Sequence, residues 1–291
     1  EKCAEDTKGQ TCYICTQALH WKTKEGLVRG CSCRGTAGFA HVSCLAEQAK
    51  ILNDEAEENN LSNEVLNARF ERWEQCSLCE QMYHGAVRCA MGWACWKTYV
   101  GRPEADQARS MAMTQLGNGL GLAGRHEDAL TVLEAELAIL RRLGDSEENL
   151  LVTQTNLSGT YEALGRKEEA LRLRRSVYYG FMKLYGEEHA RTITVADNFA
   201  ASLTALRRFE EAKKLLRKTI SVARRVLGES NNGTLRVRWS YAIALYSDPN
   251  STLDDLREAV TTLEDATRIA RRVFGGAHPL TEGFEEDLKR S

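Results

Sequence analysis

The chain has 291 residues, and its 39 lysines and arginines nearly balance its 41 aspartates and glutamates. This length allows two domains that each bury a core, and the balanced charge argues against a basic nucleic-acid surface or a polybasic membrane anchor. No apolar run approaches the ~20 residues that span a bilayer, and the first ten residues lack the apolar stretch of a signal peptide, so we expect a cytoplasmic protein without nucleic-acid or membrane partners.

The ten cysteines are concentrated at one end of the chain. All of them lie between residues 3 and 95, and the rest of the sequence has none. Cysteines clustered in this way form either disulfides or metal sites. Because an intracellular chain keeps its thiols reduced, the paired spacing favours metal binding.

Seven cysteines and one histidine form four ordered pairs with two, one, two and two intervening residues. Zinc takes four tetrahedral sulfur or nitrogen ligands, and a two-residue gap lets one tight turn direct two thiolates at one ion. Eight ligands make two closed sites with no position for water, which is typical of structural zinc. We therefore predict two structural zinc ions, with the ligands Cys12, Cys15, Cys31, Cys33, His41, Cys44, Cys76 and Cys79.

The segments CYIC, CSCRGTAGFAHVSCL and CSLCEQMYHG resemble the RING-CH, or variant RING, family. The resemblance implies a cross-braced fold with two ligand sets, namely Cys12, Cys15, His41 and Cys44, and Cys31, Cys33, Cys76 and Cys79. A chromatin-reading PHD-like finger has the same ligand order. The single residue at Ser32 and the seven residues before His41 favour the RING-CH family.

The resemblance also implies a function. RING-CH proteins are typically ubiquitin ligases that recruit a ubiquitin-conjugating enzyme and position its thioester, without a catalytic residue of their own. Ile14 matches the apolar residue that contacts this enzyme, although a buried role in the zinc loop is an equal alternative. Gln48 stands where the family usually has tryptophan, Glu80 stands where many active RING domains have a basic residue, and the loop from Cys44 to Cys76 is long. These differences favour the rival hypothesis, a non-enzymatic scaffold with a structural zinc module.

Composition divides the chain into three parts. We assign residues 1–82 to a RING-CH-type zinc finger with a helical insertion at about 45–72, residues 83–102 to a linking half-repeat helix, and residues 103–291 to a repeat array. Cys89 and Cys95 lie in the linking helix, where a free cysteine is usually a small buried apolar residue. Cys3 receives no role.

The second part of the sequence repeats itself. Equivalent alanines at 129, 170, 212 and 259 are 41, 42 and 47 residues apart, and glycines at 144, 186, 228 and 275 keep nearly the same rhythm. The loop at 247–252 accounts for the longer last interval. Each repeat shows two helical periods, separated by a glycine such as Gly165 and ended by one such as Gly186. A fixed period of this length predicts stacked helix pairs.

These repeats resemble tetratricopeptide repeats of the kinesin-light-chain type, particularly in YGEEHARTI at 185 and FGGAHPLT at 274. The resemblance implies a groove for a protein or peptide substrate. Asn156 and Asn198 occupy equivalent first-helix positions that often bind a peptide backbone in this family, with Gln115 and Ser240 at the neighbouring equivalents; a structural or merely exposed role is the alternative. The predicted fold is therefore mostly α, with a small two-zinc RING-like domain followed by an α-solenoid. The predicted function is that of a ubiquitin-ligase-like adaptor.

Overall fold

The computed structural model describes residues 6–33, 35–276 and 278–290. Within these ranges the secondary structure is almost entirely helical, with isolated β-bridges and no β-strand, so the predicted fold class is confirmed. The α-helices are α1 (Val42–Glu58), α2 (Asn63–Phe70), α3 (Gly85–Tyr99), α4 (Gln107–Leu122), α5 (His126–Leu143), α6 (Glu147–Ala163), α7 (Lys167–Tyr185), α8 (Ala190–Ala205), α9 (Phe209–Leu227), α10 (Asn232–Tyr246), α11 (Leu253–Phe274) and α12 (Pro279–Leu288).

The chain divides into two compact units, Glu1–Asp145 and Ser146–Ser291. The domain boundaries near residues 82 and 102 stay a prediction. Among the described helices, none combines the length and the apolar character that crossing a bilayer requires.

In the first unit, the described residues before α1 form irregular chain and short turns, and α1 and α2 lie in the long loop between the third and fourth ligand pairs. The N-terminus of α1 is capped from outside the helix, because the Glu25 carboxylate accepts a hydrogen bond from the Ser43 amide at 2.7 Å. A negative group at this end satisfies a free amide and complements the helix dipole. The turn that contains Glu25 is thereby attached to the start of α1.

Helix α3 packs closely against both the cysteine-rich segment and α4. A Cβ atom at Gly92 would lie 2.7 Å from the Gln115 carbonyl oxygen, and one at Gly30 would lie 2.6 Å from the Val87 side chain. Glycine at both positions therefore permits contacts that any larger residue would block. One apolar cluster continues from Cys12 through buried side chains of α1 and α3 to Ala112 of α4.

The second unit consists of the helix pairs α6–α7, α8–α9 and α10–α11, with α12 packed on α11. Gly165 and Gly186 have positive φ angles of 75° and 78°, which supports the predicted helix ends. The longer loop before α11 is anchored by Asp248, whose carboxylate accepts from the Lys213 ammonium at 2.9 Å. Both side chains are buried.

Candidate metal centre

The first pair of cysteines lies in a tight turn whose backbone amides point at sulfur. The Thr16 amide donates to the Cys12 carbonyl at 2.8 Å, and the Ile14 amide approaches the Cys12 sulfur at 3.4 Å. Thr16 adopts a φ of 61°, which reverses the chain directly after Cys15. An amide that donates to sulfur favours the thiolate form, which is the form that binds metal.

The last pair of cysteines has the same geometry. The Glu80 amide donates to the Cys76 carbonyl at 3.0 Å, and the Leu78 amide approaches the Cys76 sulfur at 3.4 Å. Glu80 has a φ of 56°. Leu78 is therefore the counterpart of Ile14, and Glu80 is the counterpart of Thr16. The two turns are matched although they lie at opposite ends of the cysteine-rich segment.

His41 is held with a defined ring orientation at the start of α1. Its Nδ1 atom lies 3.4 Å from the Cys15 sulfur and 3.6 Å from the Cys44 sulfur, while its Nε2 atom faces the Ala18 carbonyl oxygen at 3.4 Å. A proton on Nε2 can donate to that carbonyl and leave the Nδ1 lone pair directed at the sulfurs. Because Cys44 is three residues further along the helix, both side chains share one face.

The eight side chains gather into two groups of four. In each group the candidate ligand atoms all lie within 4.8 Å of one another; the groups are Cys12, Cys15, His41 and Cys44, and Cys31, Cys33, Cys76 and Cys79. The first and third pairs of the sequence thus meet in one group, and the second and fourth pairs meet in the other. These are the sets that the resemblance implies.

The distances fit tetrahedral zinc. Zinc–sulfur and zinc–nitrogen bonds of about 2.3 and 2.0 Å place two sulfurs about 3.8 Å apart and a nitrogen about 3.5 Å from a sulfur. The Cys33 and Cys76 sulfurs are 3.7 Å apart, and the two His41 distances are 3.4 and 3.6 Å. The three distances therefore fit one tetrahedral ion in each group, and the remaining ligand atoms of each group lie within 4.8 Å of one another.

The electrostatics of the second group also favour a cation. Burial raises the pKa of Cys33, and the neighbouring sulfurs raise it further. Burial likewise opposes ionisation of Cys79, but the Gln81 amide and the Cys33 and Cys76 thiols outweigh it and bring the pKa of Cys79 to about 7. Burial and the mutual repulsion of four thiolates both oppose ionisation, and a divalent ion at their centre would offset both effects.

Cys89 and Cys95, the other two cysteines that the structure describes, belong to neither group. No disulfide joins any of the nine cysteines within the described ranges. Cys89 and Cys95 lie in α3, where Cys95 is completely buried, as expected of a small apolar side chain, and Cys89 is half-buried. Cys3 lies outside the described residues.

Polar side chains link the two cysteine turns to α1 near Ile14. The Ser77 hydroxyl donates to the Gln48 side-chain oxygen at 3.2 Å and lies 3.4 Å from the Tyr13 hydroxyl. Gln48 is therefore engaged in a hydrogen-bond network at the position where the family pattern has tryptophan. Ile14 is half-buried and packs at the edge of the apolar cluster. Glu80 is exposed.

The polar repeat positions differ in their surroundings. Asn156 and Asn198 are half-buried in α6 and α8, but Gln115 is buried and accepts from the Arg88 guanidinium at 2.6 Å. Gln115 is thus an internal hydrogen-bond acceptor and lies away from solvent. The buried carboxyl group of Asp197 was not predicted from the sequence, although this residue directly precedes Asn198. Burial raises the pKa of Asp197, and Ser240 and Arg236 oppose the shift.

Comparison with protein families agrees with this geometry. Residues 12–79 match the RING-variant domain, and residues 108–178 and 192–232 each match the tetratricopeptide repeat. The chain carries a RING-variant domain followed by tetratricopeptide repeats. Together they make it a zinc-binding protein-interaction module.

Solved structures show the same repeat fold. TPR-like repeats of the kinesin-light-chain type from Podosopora anserina are 21% identical, with 80% of this chain and 97% of that chain covered and a TM-score of 0.53. BtubC (BKLC) from P. vanneervenii is 14% identical, with 86% and 88% covered and a TM-score of 0.52. A Rap protein complexed with Competence and Sporulation Factor is also 14% identical, with 84% and 64% covered and a TM-score of 0.52. A comparison with curated proteins finds no match.

Proposed function

We propose that the protein is a ubiquitin-ligase-like adaptor, in which the RING-variant domain recruits a ubiquitin-conjugating enzyme and the repeats bind a protein substrate. The observation that carries the proposal is the pair of matched cysteine turns, one of which holds Ile14 at the edge of the apolar cluster. A RING-type ligase needs no nucleophile, because it accelerates transfer by binding and orienting the charged enzyme.

The proposal includes two zinc ions, one in each group of four ligands. Each donor set is complete, so each ion serves to hold the fold of a segment that has few apolar residues of its own. Elemental analysis of protein prepared without chelator should find two zinc ions per chain. Cys33→Ser should lose at least one ion, whereas Cys89→Ala should keep both. One ion or none in the wild type would contradict the two-site assignment.

Ubiquitin transfer in vitro, measured across a panel of conjugating enzymes, tests the proposed activity. Ile14→Ala should reduce transfer at least about tenfold, because one buried anchor often contributes much of the energy of a small interface. The zinc content should stay at the wild-type value, since Ile14 contributes only its backbone amide to the cysteine turn. Ile51→Ala is the matched control, because Ile51 is an exposed isoleucine in the middle of α1.

A non-enzymatic scaffold is the second candidate function, and one observation favours it. Gln48 accepts a hydrogen bond from Ser77, so the position where the family pattern has tryptophan is polar rather than aromatic. Gln48→Trp would restore the aromatic side chain and should raise transfer if its absence limits binding. If no conjugating enzyme supports transfer by the wild type or by Gln48→Trp, the scaffold is the better description.

The repeats are proposed to bind a peptide segment of the substrate through Asn156 and Asn198. Both side chains are half-buried, and the fold is seen in a Rap protein complexed with Competence and Sporulation Factor, which supports a binding role. Changing both asparagines to alanine should weaken partner capture by the full chain without lowering its melting temperature. Asn232→Ala, at an exposed helix start, is the control. Unchanged capture by the double variant would exclude these residues from the binding surface.

A further inference from the structure

Between the first and second ligand pairs, residues 20–25 form a closed turn with a fixed conformation. The His20 amide donates to the Glu25 carbonyl at 3.0 Å, and the Lys24 amide donates to the His20 carbonyl at 2.9 Å. The His20 Nδ1 atom accepts from the Thr23 amide at 3.1 Å and lies 2.8 Å from the Thr23 hydroxyl. Lys24 completes the reversal with a φ of 59°. The turn is therefore ordered before any partner arrives.

Two of its side chains attach the turn to the first metal group and to α1. The His20 ring is buried and meets the His41 ring edge-on, with 5.4 Å between centroids. The Glu25 carboxylate accepts from the Ser43 amide at the N-terminus of α1. Glu25 is the only acidic residue in the turn, and its carboxylate, which is bound to that amide, forms no ion pair with Lys22 or Lys24.

The outward side of the turn is apolar and cationic. Trp21 is 69% exposed, more than any other large apolar side chain within the described ranges, and Leu19 is 59% exposed. Lys22 and Lys24 are exposed, and neither forms an ion pair with another described residue. The turn thus presents an exposed aromatic side chain beside two lysines that form no ion pair within the part of the chain that the structure describes.

We propose that the exposed side chains of Leu19, Trp21, Lys22 and Lys24, at and just before this turn, form a second interaction surface that docks an acidic segment of a partner protein. Trp21 would fill an apolar site on the partner, and tryptophan is among the residues that most often dominate interface energies. Lys22 and Lys24 would pair with carboxylates and steer the approach. The internal hydrogen bonds reduce the ordering cost of binding.

A protein segment is favoured over an anionic lipid surface. Only two apolar side chains are available for insertion, which is little area for membrane association. The proposed surface does not include Ile14, so the proposal does not rest on ligase activity.

A random 12-residue phage-displayed peptide library, panned against the zinc-loaded full chain, tests the proposal. We expect recovered peptides to be enriched in aspartate and glutamate around an apolar residue. Their synthetic versions should bind the triple variant Trp21→Ala, Lys22→Glu, Lys24→Glu at least about tenfold more weakly than the wild type. All three side chains are exposed, so the zinc content and melting temperature should be unchanged. Leu253→Ala, a similarly exposed apolar position, and Ile14→Ala should bind the peptides as the wild type does.

Three results would overturn the proposal. The first is recovery of no acidic consensus, and the second is equal binding of the selected peptides by wild type and triple variant. The third is binding to phosphatidylserine-containing vesicles that the triple variant loses, without any acidic peptide. That outcome would assign the turn to a lipid surface.

Discussion

The Glu74 carboxylate accepts a hydrogen bond from the Arg88 guanidinium at 2.8 Å, and the pair joins the last cysteine turn to α3. Glu74 lies two residues before Cys76, and Arg88 lies in α3, where it is 1% exposed and also donates to Gln115 of α4. Burial lowers the pKa of Arg88, and the Glu74 charge opposes that shift. Glu74 is therefore the counter-charge that makes this buried cation tolerable.

Glu74→Gln should destabilise the first unit, because it leaves the Arg88 charge buried without a counter-charge. Loss of one partner of a buried pair costs about 3–5 kcal/mol, and urea unfolding of the zinc-loaded chain measures it. Adding Arg88→Met should recover most of the loss, since the charge is then removed. The control is Asp128→Asn, which breaks the half-exposed pair with Arg125 and should cost less than about 1 kcal/mol. If Glu74→Gln and Asp128→Asn lower the free energy of unfolding by similar amounts, Glu74 is not the counter-charge that stabilises buried Arg88.

Removal of zinc should loosen α3 and α4 together with the cysteine-rich segment, because all three share one apolar cluster. Hydrogen exchange in the presence of a chelator should therefore accelerate across residues 85–122. Helices α8–α11 have a separate core in the second unit and should keep their protection. If residues 85–122 stay protected after both ions are lost, α3 and α4 do not depend on the zinc sites.

Gly92→Ala should destabilise the packing of α3 on α4. The added methyl group would lie 2.7 Å from the Gln115 carbonyl oxygen, which belongs to the backbone and cannot rotate away. Overpacking of this kind typically costs about 1–3 kcal/mol. Gly159→Ala is a matched control, because no atom beyond its chain neighbours and its own helix backbone lies within 4 Å of the added Cβ. Alanine favours a helix more than glycine does, so at this exposed position it should raise the free energy of unfolding by up to about 1 kcal/mol. Thermal denaturation should therefore show a lower melting temperature for Gly92→Ala and a higher one for Gly159→Ala than for the wild type.

Asp248 should contribute stability that disappears in acid. The Asn250 amide and the Lys213 ammonium hold the pKa of this carboxyl below its ordinary value of 3.8. A depressed native pKa means that the stabilisation is complete above the unfolded value and is lost as the pH falls through the native value. Asp248→Asn should therefore be less stable than the wild type at pH ~6, and the difference should shrink below pH ~4.

Urea unfolding at several pH values measures this difference. Zinc loss in acid affects the wild type and the variant alike, so the comparison isolates Asp248. Asp254→Asn is the control, because Asp254 is strongly exposed beside Arg257 and its removal should change little at any pH. A difference that stayed constant with pH would show that the Asp248 charge does not stabilise the loop.

The spacing of residues within short segments determined much of this protein. Two cysteines separated by two residues lie in one turn, and a recurring rhythm of alanines and glycines requires repeated helix pairs. Both are local properties of the chain, so the fold class followed from the sequence. The assembly of the eight side chains into two groups was expected only through the family resemblance, since spacing alone does not say which pairs meet.

The surroundings of individual side chains were decided by tertiary structure. Gln115 stands at the repeat position of Asn156, yet it is buried because Arg88 of α3 covers it. Gln48 is held by Ser77, which is 29 residues away. Likewise, the Glu25 carboxylate caps α1 and forms no ion pair with Lys22 or Lys24. A periodic sequence fixes which residues are equivalent along the chain, but burial and charge pairing depend on the neighbours that folding brings into contact.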